Sequence, residues 1–257
     1  MGTFSDKVTS AMEDPGPLKL FLYGEPGSGK TVFCCGAPRP LLVDCENGRR
    51  SLLNHPELAG VPVVKANTYK EAEAVIAAAS AGDSFFDDID TIIIDTITRL
   101  QQKQLVEELK AAVEKNSSRH PFLPSQNEYN INNRMMERFV LSLIERTNKN
   151  IIIVGHVKED KDDEGQTVLT RPNTSPGVVG TLTSLMDGVF YMSSNTLSTG
   201  ETTRKLRVLP SAKLKAKNRL GSLPVELINP TFKQVLDAAE SQRDIARKWQ
   251  ETNGAQP

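Results

Sequence analysis

Gly24-Glu25-Pro26-Gly27-Ser28-Gly29-Lys30-Thr31 reads G-x-x-x-x-G-K-T, and its setting decides the fold. Residues 18–23 (LKLFLY) before it are a short, mostly apolar run of strand type, and the stretch after it is compatible with a helix. Phosphate binding needs this order of strand, loop and helix. Glycines let successive backbone N–H groups turn inward around phosphate oxygens, and the start of the helix adds partial positive charge. Gly24, Glu25, Pro26, Gly27, Ser28, Gly29, Lys30 and Thr31 are therefore the expected cradle for a nucleoside triphosphate, which leaves kinases, GTPases, AAA-type machines and recombinases all open. Lys30 can reach the β- and γ-phosphates, and the Thr31 hydroxyl can ligate Mg²⁺.

Outward from this loop, strand and helix signals alternate. Apolar, β-branched runs at residues 40–44, 61–65, 91–95 and 150–155 suit strands buried on both faces of a parallel sheet. Helical stretches are expected at residues 69–81 and 99–115. A third carries Met135/Met136, Phe139/Val140 and Leu143/Ile144 one turn apart, a stripe that reads as core packing. After Gly155 the pattern changes to an acidic loop (KEDKDDEGQ), a β-like TVLTR, a turn and the apolar GVFYM. Residues 202–209 and a basic stretch then look like added antiparallel strands, and residues 231–249 like a closing helix. The expectation is an α/β fold, a mostly parallel sheet flanked by helices with a β-rich C-terminal extension. Its organisation is a flexible leader (1–16), one ATPase domain (17–249) and a disordered tail (250–257).

Ile92-Ile93-Ile94-Asp95 is a hydrophobic strand ending in an acid, and it heads a helix. Such an aspartate holds Mg²⁺ opposite the loop threonine, so Thr31 and Asp95 are the candidate metal ligands. Many AAA-type ATPases follow this acid with a water-activating glutamate, but here the next residue is Thr96. Another carboxylate must then polarise the attacking water. Glu46, in LLVDCEN just beyond a buried strand, is the candidate, since an open parallel sheet binds ligands at the carboxyl ends of its strands. The bland alternative for Glu46 is an exposed loop carboxylate. Asp44 reads equally as a cap, a supporting partner or a catalytic group.

Together GEPGSGKT, LLVDCEN, TIIIDT and IIIVGH resemble the ATPase core of RecA/RadA-type recombinases. The resemblance implies a RecA-like core with Glu46 as the catalytic base, in a D-x-E context. It implies that His156, where RecA has glutamine, senses the γ-phosphate; the alternative is a histidine that merely ends a strand. Lys217-Asn218-Arg219-Leu220-Gly221 is similar to the KNRFG motif of RadA, with Leu220 in place of phenylalanine. That likeness implies that Lys217 and Arg219 act as a finger on a neighbouring subunit's γ-phosphate. Fingers of this kind are worth roughly 10³–10⁵ in rate, so turnover would depend on assembly. The plain reading of this segment is a solvated basic face. The resemblance spans roughly residues 18–225. It lacks the further terminal domains of RecA and the zinc-binding and protease-like segments of RadA. A minimal core of this kind is most similar to small phage-encoded RecA-like ATPases of single-strand annealing and recombination.

Composition bounds the partners. Thirty-one Lys and Arg balance 32 Asp and Glu, so any nucleic-acid contact must be local. From Arg204 to Arg219 there are seven cations and no acid, whereas residues 157–166 set two lysines against five acids. The candidate DNA contacts are Lys213 and Lys215 in the first run, Arg171 beyond the acids, and Arg119 and Phe122 in an expected loop at 116–130. Cations beside aromatics suit single strands, where bases stack on rings. No apolar run approaches the roughly 20 residues that span a bilayer, and no signal-type segment opens the chain. Three cysteines, Cys34, Cys35 and Cys45, lack ligand spacing and fit reduced thiols of a cytoplasmic protein, in the host cytoplasm if phage-encoded, and Cys34 and Cys35 on the helix after the loop read as small buried hydrophobes. The leading expectation is an oligomeric Mg-ATP-dependent recombination ATPase, ring or filament, that anneals or pairs single-stranded DNA. A single-strand-binding or replication protein is a possible further partner. The rivals are an ATP-gated loader of a replication protein and a P-loop kinase.

Overall fold

Runs such as Ile92-Ile93-Ile94 have no polar alternation, so they are stable only where helices cover both faces of the sheet. The computed structural model, which describes residues 16–253, builds its centre from these runs. In chain order the elements are β1 (Lys19–Gly24), α1 (Lys30–Cys35), β2 (Pro40–Asp44), β3 (Val63–Lys65), α2 (Tyr69–Ala81), β4 (Thr91–Asp95) and α3 (Ile97–Lys115). Then follow α4 (Gln126–Arg146), β5 (Asn150–Lys161), β6 (Thr167–Pro172), α5 (Pro176–Leu185) and β7 (Gly188–Thr196). The chain closes with β8 (Thr202–Arg207), β9 (Lys217–Asn218), β10 (Glu226–Ile228) and α6 (Phe232–Asn253). Short 3-10 turns connect some of them.

The strands lie in the order β10-β8-β7-β1-β5-β4-β2-β3. β1 runs parallel to both β5 and β7, and β4 lies parallel between β5 and β2. β8, β9 and β10 add the antiparallel extension. This is the expected α/β arrangement, a mostly parallel sheet flanked by helices with a β-rich C-terminal part. Alternation along the strands divides the interior in two. Phe21, Tyr23, Ile92, Ile94, Ile151 and Ile153 pack with α2, α3, α4 and α5. Leu20, Leu22, Ile93, Ile152 and Val154 pack with Phe33 and Cys34 of α1 and with Phe232 and Val235 of α6. Cys34 and Cys35 are buried as expected, Cys45 is buried as well, and burial pushes the Cys35 and Cys45 thiols up to about 12.

The structure departs from the expectations at four places. The acidic stretch is mostly strand: β5 runs on to Lys161 and pairs antiparallel with β6, leaving only residues 162–166 to turn. Asp162 accepts the N–H groups of Glu164 and Gln166, and Gly165 supplies a positive φ of 79°. The expected loop at 116–130 ends at Ser125, which forms a capping box with Glu128 and starts α4, so residues 126–130 are helical. The turn expected before GVFYM contains α5, whose Gly177 and Gly180 weaken its helical signal while Val178, Val179 and Leu182 bury one face. Finally α6 extends to Asn253, so residues 250–253 of the expected tail are helical. Of the expected leader and tail, residues 1–15 and 254–257 lie outside the described residues.

Candidate active site

β1 ends at Gly24, and the chain can leave the sheet there because no side chain intervenes. A β-carbon on Gly24 would lie 2.0 Å from the Met192 carbonyl oxygen of the adjoining β7. Gly27 (φ 78°) and Gly29 (φ 95°) hold left-handed conformations that turn the loop about itself. Ser28 closes it by donating its hydroxyl to the Glu25 carbonyl at 2.8 Å. Lys30, 7% exposed, points back into the loop and donates to the carbonyls of Gly24 (3.0 Å) and Glu25 (2.6 Å). Burial lowers its pKa, opposed by the negative charges of Asp95 and Glu46.

The parallel register brings the other candidates to the same end of the sheet. Asp44 aligns with Asp95, and Gly24 with His156. The Thr31 hydroxyl donates to Asp95 Oδ2 at 2.6 Å. Burial raises the Asp95 carboxyl to about 6; the Thr31 bond works against this and the Glu46 charge with it. A hydroxyl beside one buried carboxylate suits Mg²⁺, which keeps several waters and takes its remaining ligands from phosphate oxygens. No group of three or more His, Cys, Asp or Glu among the described residues forms a metal cage. The residues present fit the ion that the loop implies, held by Thr31 and Asp95. When bound, such an ion neutralises charge on the phosphates.

Glu46 meets this site from the turn after β2. Its Oε2 accepts the Thr96 hydroxyl at 3.0 Å and lies 3.1 Å from His156 Nε2. Burial pushes the Glu46 carboxyl up, yet the hydrogen bond and charge of His156, the Thr96 bond and the Lys30 charge together bring it below its usual value. It is thus an ionised carboxylate beside the phosphate loop, suited to accepting a proton from water. Asp44 caps this turn. Its oxygens accept the N–H groups of Glu46 (3.1 Å), Gly48 (2.9 Å) and Arg49 (3.2 Å), fixing the turn that presents Glu46. The same turn sets Gly48 against Thr31 and Asp95, where a β-carbon would lie 3.3 Å from Asp95 Oδ2. His156 is held by its backbone N–H, donated to Thr98 Oγ1 at 3.0 Å.

Lys30, Thr31, Glu46, Asp95 and His156 therefore converge, whereas Lys217 and Arg219 do not join them. Lys217 pairs with Val189, which pairs with Phe21, three residues before Gly24. That is roughly 10 Å back along the strands and about 10 Å across the sheet. Lys217 Nζ donates to the carbonyls of Thr183 (2.8 Å) and Ser184 (3.0 Å), and Arg219 Nη2 to Ser184 (3.3 Å). Both cations sit at the C-terminal end of α5, where they complement its dipole.

The candidate DNA contacts also separate. Arg119 is paired with the buried Glu128 at 2.7 Å, and Arg171 makes two bonds to Asp160. Phe122 is 81% exposed, and Lys213 and Lys215 are exposed on a loop. That loop is tied to β6 through Thr170, which donates to the Lys213 carbonyl and accepts the Lys215 N–H. It is tied to β1 by the Tyr23 hydroxyl, which donates to the Lys215 carbonyl. Two contributors escaped the sequence reading. Thr96 caps α3 and also bonds Glu46, a double role that a threonine between strand and helix could have signalled. Arg204, counted only within the basic run, lies across Gly29.

A family model described as an AAA domain matches residues 16–220. No curated protein matches the chain in sequence. Among solved structures, the RadB recombinase aligns over 83% of this chain and 87% of its own, at 17% identity and a TM-score of 0.47. The flagellar accessory protein FlaH from Methanocaldococcus jannaschii aligns over 85% and 88%, at 13% identity and a TM-score of 0.42.

Proposed function

The chain belongs to this AAA-domain family, and from that premise we propose that it is an Mg-ATP-hydrolysing, RecA-like recombination protein that acts on single-stranded DNA as an oligomer. The observation that carries the hydrolytic part is the Glu46 carboxylate, held by Thr96 and His156 beside Lys30, Thr31 and Asp95. A phosphotransferase to a small acceptor has no need of a second carboxylate held in this way. In the proposed roles, residues 24–31 bind the phosphates and Lys30 compensates their charge. Glu46 takes the proton of the attacking water, and His156 holds Glu46 and faces the γ-phosphate.

The nucleic-acid part rests on Lys213 and Lys215. Their loop is bonded both to the strand that feeds the phosphate loop and to the hairpin that continues the His156 strand. A change at the γ-phosphate thus has a short covalent and hydrogen-bonded path to two exposed cations. Phe122 supplies a ring for base stacking on another loop, while Arg119 and Arg171 brace their own loop and hairpin. Lys217 and Arg219, remote from their own phosphate loop, are assigned to a neighbouring subunit's nucleotide in a ring or filament. The phage-type annealing role and a cytoplasmic setting belong to the same proposal. No helix among the described residues is long and apolar enough to cross a membrane.

Steady-state ATP hydrolysis at several protein concentrations, with and without single-stranded DNA, tests this reading. Specific activity should rise with protein concentration and rise again with DNA. Activity indifferent to DNA removes the nucleic-acid assignment and favours a loader that answers to a protein partner. Absence of hydrolysis under every condition removes the ATPase.

A further inference from the structure

β8 continues past the level at which β1 ends. Met192 of β7 pairs with Gly24 on one side and with Leu206 on the other, and two residues further on Ser194 pairs with Arg204. Leu206 is buried in the face covered by α1 and α6. Residues two apart on a strand share a face, so Arg204 falls on that same face, beyond the end of β1 and over the phosphate loop. The contact is close: a β-carbon on Gly29 would lie 2.6 Å from Arg204 Nε and 2.8 Å from its Cδ.

Among the described residues no side chain or backbone group pairs with this guanidinium, and Arg204 is exposed. Its neighbour Lys205, on the opposite face, is paired with Glu226 at 3.3 Å. The strand needs no help from the side chain either. Arg204 donates its N–H to Asn229 Oδ1 at 2.9 Å, and its carbonyl accepts the Asn229 N–H at 2.7 Å. The backbone is thus held on a sheet while the head stays available, a fixed fork of donors matched to phosphate oxygens.

We propose that Arg204 is a phosphate-contacting residue of its own chain's nucleotide site, donating to non-bridging oxygens of the polyphosphate seated on residues 24–31. The assignment rests on the nucleotide-binding reading above and deepens it. It is distinct from the finger assigned to Lys217 and Arg219, because Arg204 serves the subunit that carries it. Its place over Gly29, next to the backbone that cradles the α- and β-phosphates, means that ADP and ATP both engage it.

The test is direct binding of Mg-ADP and of Mg-ATP by isothermal titration to the full chain and to Arg204→Ala, Arg204→Lys and Lys30→Ala, with thermal midpoints measured without nucleotide. Arg204→Ala should weaken both nucleotides about 10- to 100-fold, the range for one charged hydrogen-bonding partner, and leave the midpoint unchanged. Arg204→Lys, which keeps charge and loses the fork, should recover part of the loss. Wild-type affinity in Arg204→Ala overturns the assignment. So does a loss accompanied by a lowered midpoint in both Arg204 variants, which would make the residue structural. If the wild-type chain binds neither nucleotide, the nucleotide reading falls and this assignment falls with it. If the wild type binds, Lys30→Ala does not and Arg204→Ala binds normally, the Arg204 assignment alone is wrong.

Discussion

Asp95→Asn should stabilise the nucleotide-free protein at neutral pH while removing its proposed metal ligand. Asp95 is 2% exposed, and its carboxyl is raised from 3.8 to about 6, chiefly by burial. A folded pKa above the unfolded one means that the native state keeps a proton which the unfolded chain has already released. The stability this confers is fully present below about pH 4 and is lost as pH rises through about 6. The shift of roughly two units, at about 1.4 kcal/mol each, makes the ionised carboxylate cost about 3 kcal/mol at pH 8. Asparagine has the same shape, can accept the Thr31 hydroxyl through its amide oxygen and does not titrate. Urea unfolding of both proteins, without nucleotide and with chelator, should therefore show a gap that widens with pH. Between about pH 4 and about pH 8 the variant should gain about 2–3 kcal/mol on the wild type. A gap independent of pH would refute the reasoning, as would a variant less stable than wild type at the higher pH. The same substitution should abolish Mg-dependent turnover, so stability and activity move in opposite directions.

Lys30→Ala should lose nucleotide binding or turnover, and normal hydrolysis in that variant would remove the phosphate-loop assignment. Arg219→Ala should keep ATP affinity and lose turnover; doped into wild type it should depress activity more than in proportion, whereas a linear decline counts against action on a neighbour. Replacing Lys213 and Lys215 together by alanine should flatten the slope of log affinity for single-stranded DNA against log salt by about 1.4, two contacts at roughly 0.7 each. An unchanged slope places the phosphate contacts elsewhere. Asp44→Ala, which frees three backbone N–H groups, should cost on the order of 2 kcal/mol in urea unfolding and lower turnover by loosening the Glu46 turn; unchanged values on both counts would contradict the capping role.

The central sheet was legible because its strands are buried on both faces, and that burial demands the unbroken runs TIIID and NIIIVG. The phosphate loop was legible for a different reason, since its glycines and lysine are fixed by local backbone geometry. The place of Glu46 near the loop after β1 followed from β2 ending at the same edge of the sheet as β1. What could not be read were features set by tertiary packing. α5 carries two glycines and three threonine or serine residues in ten, so its helix exists by virtue of the core beneath Val178, Val179 and Leu182. The acidic end of β5 is rich in charge and looked like a loop, yet a cross-strand partner in β6 pairs Asp160 with Arg171. The Ser125–Glu128 capping box stood in the sequence as S-x-x-E and would have shortened the expected loop. Arg204 was hidden by register: its place over Gly29 depends on how far β8 overshoots β1, a long-range quantity.

These placements suggest a division of labour along the nucleotide. The proposed proton acceptor, Glu46, and the proposed metal ligands, Thr31 and Asp95, lie in one chain, close together and braced by Asp44, Thr96 and Thr98. Arg204 adds a cation of the same chain over the phosphate loop. Lys217 and Arg219 are docked on the end of α5, roughly 14 Å or more from their own loop by strand geometry. Binding and catalysis would then be separable. A lone subunit would hold Mg-ATP through its own cations, and an adjoining one would bring the charge needed when the γ-phosphate leaves. Loss of Arg204 should therefore appear in nucleotide affinity at every protein concentration, while loss of Arg219 should appear in turnover and only where subunits assemble.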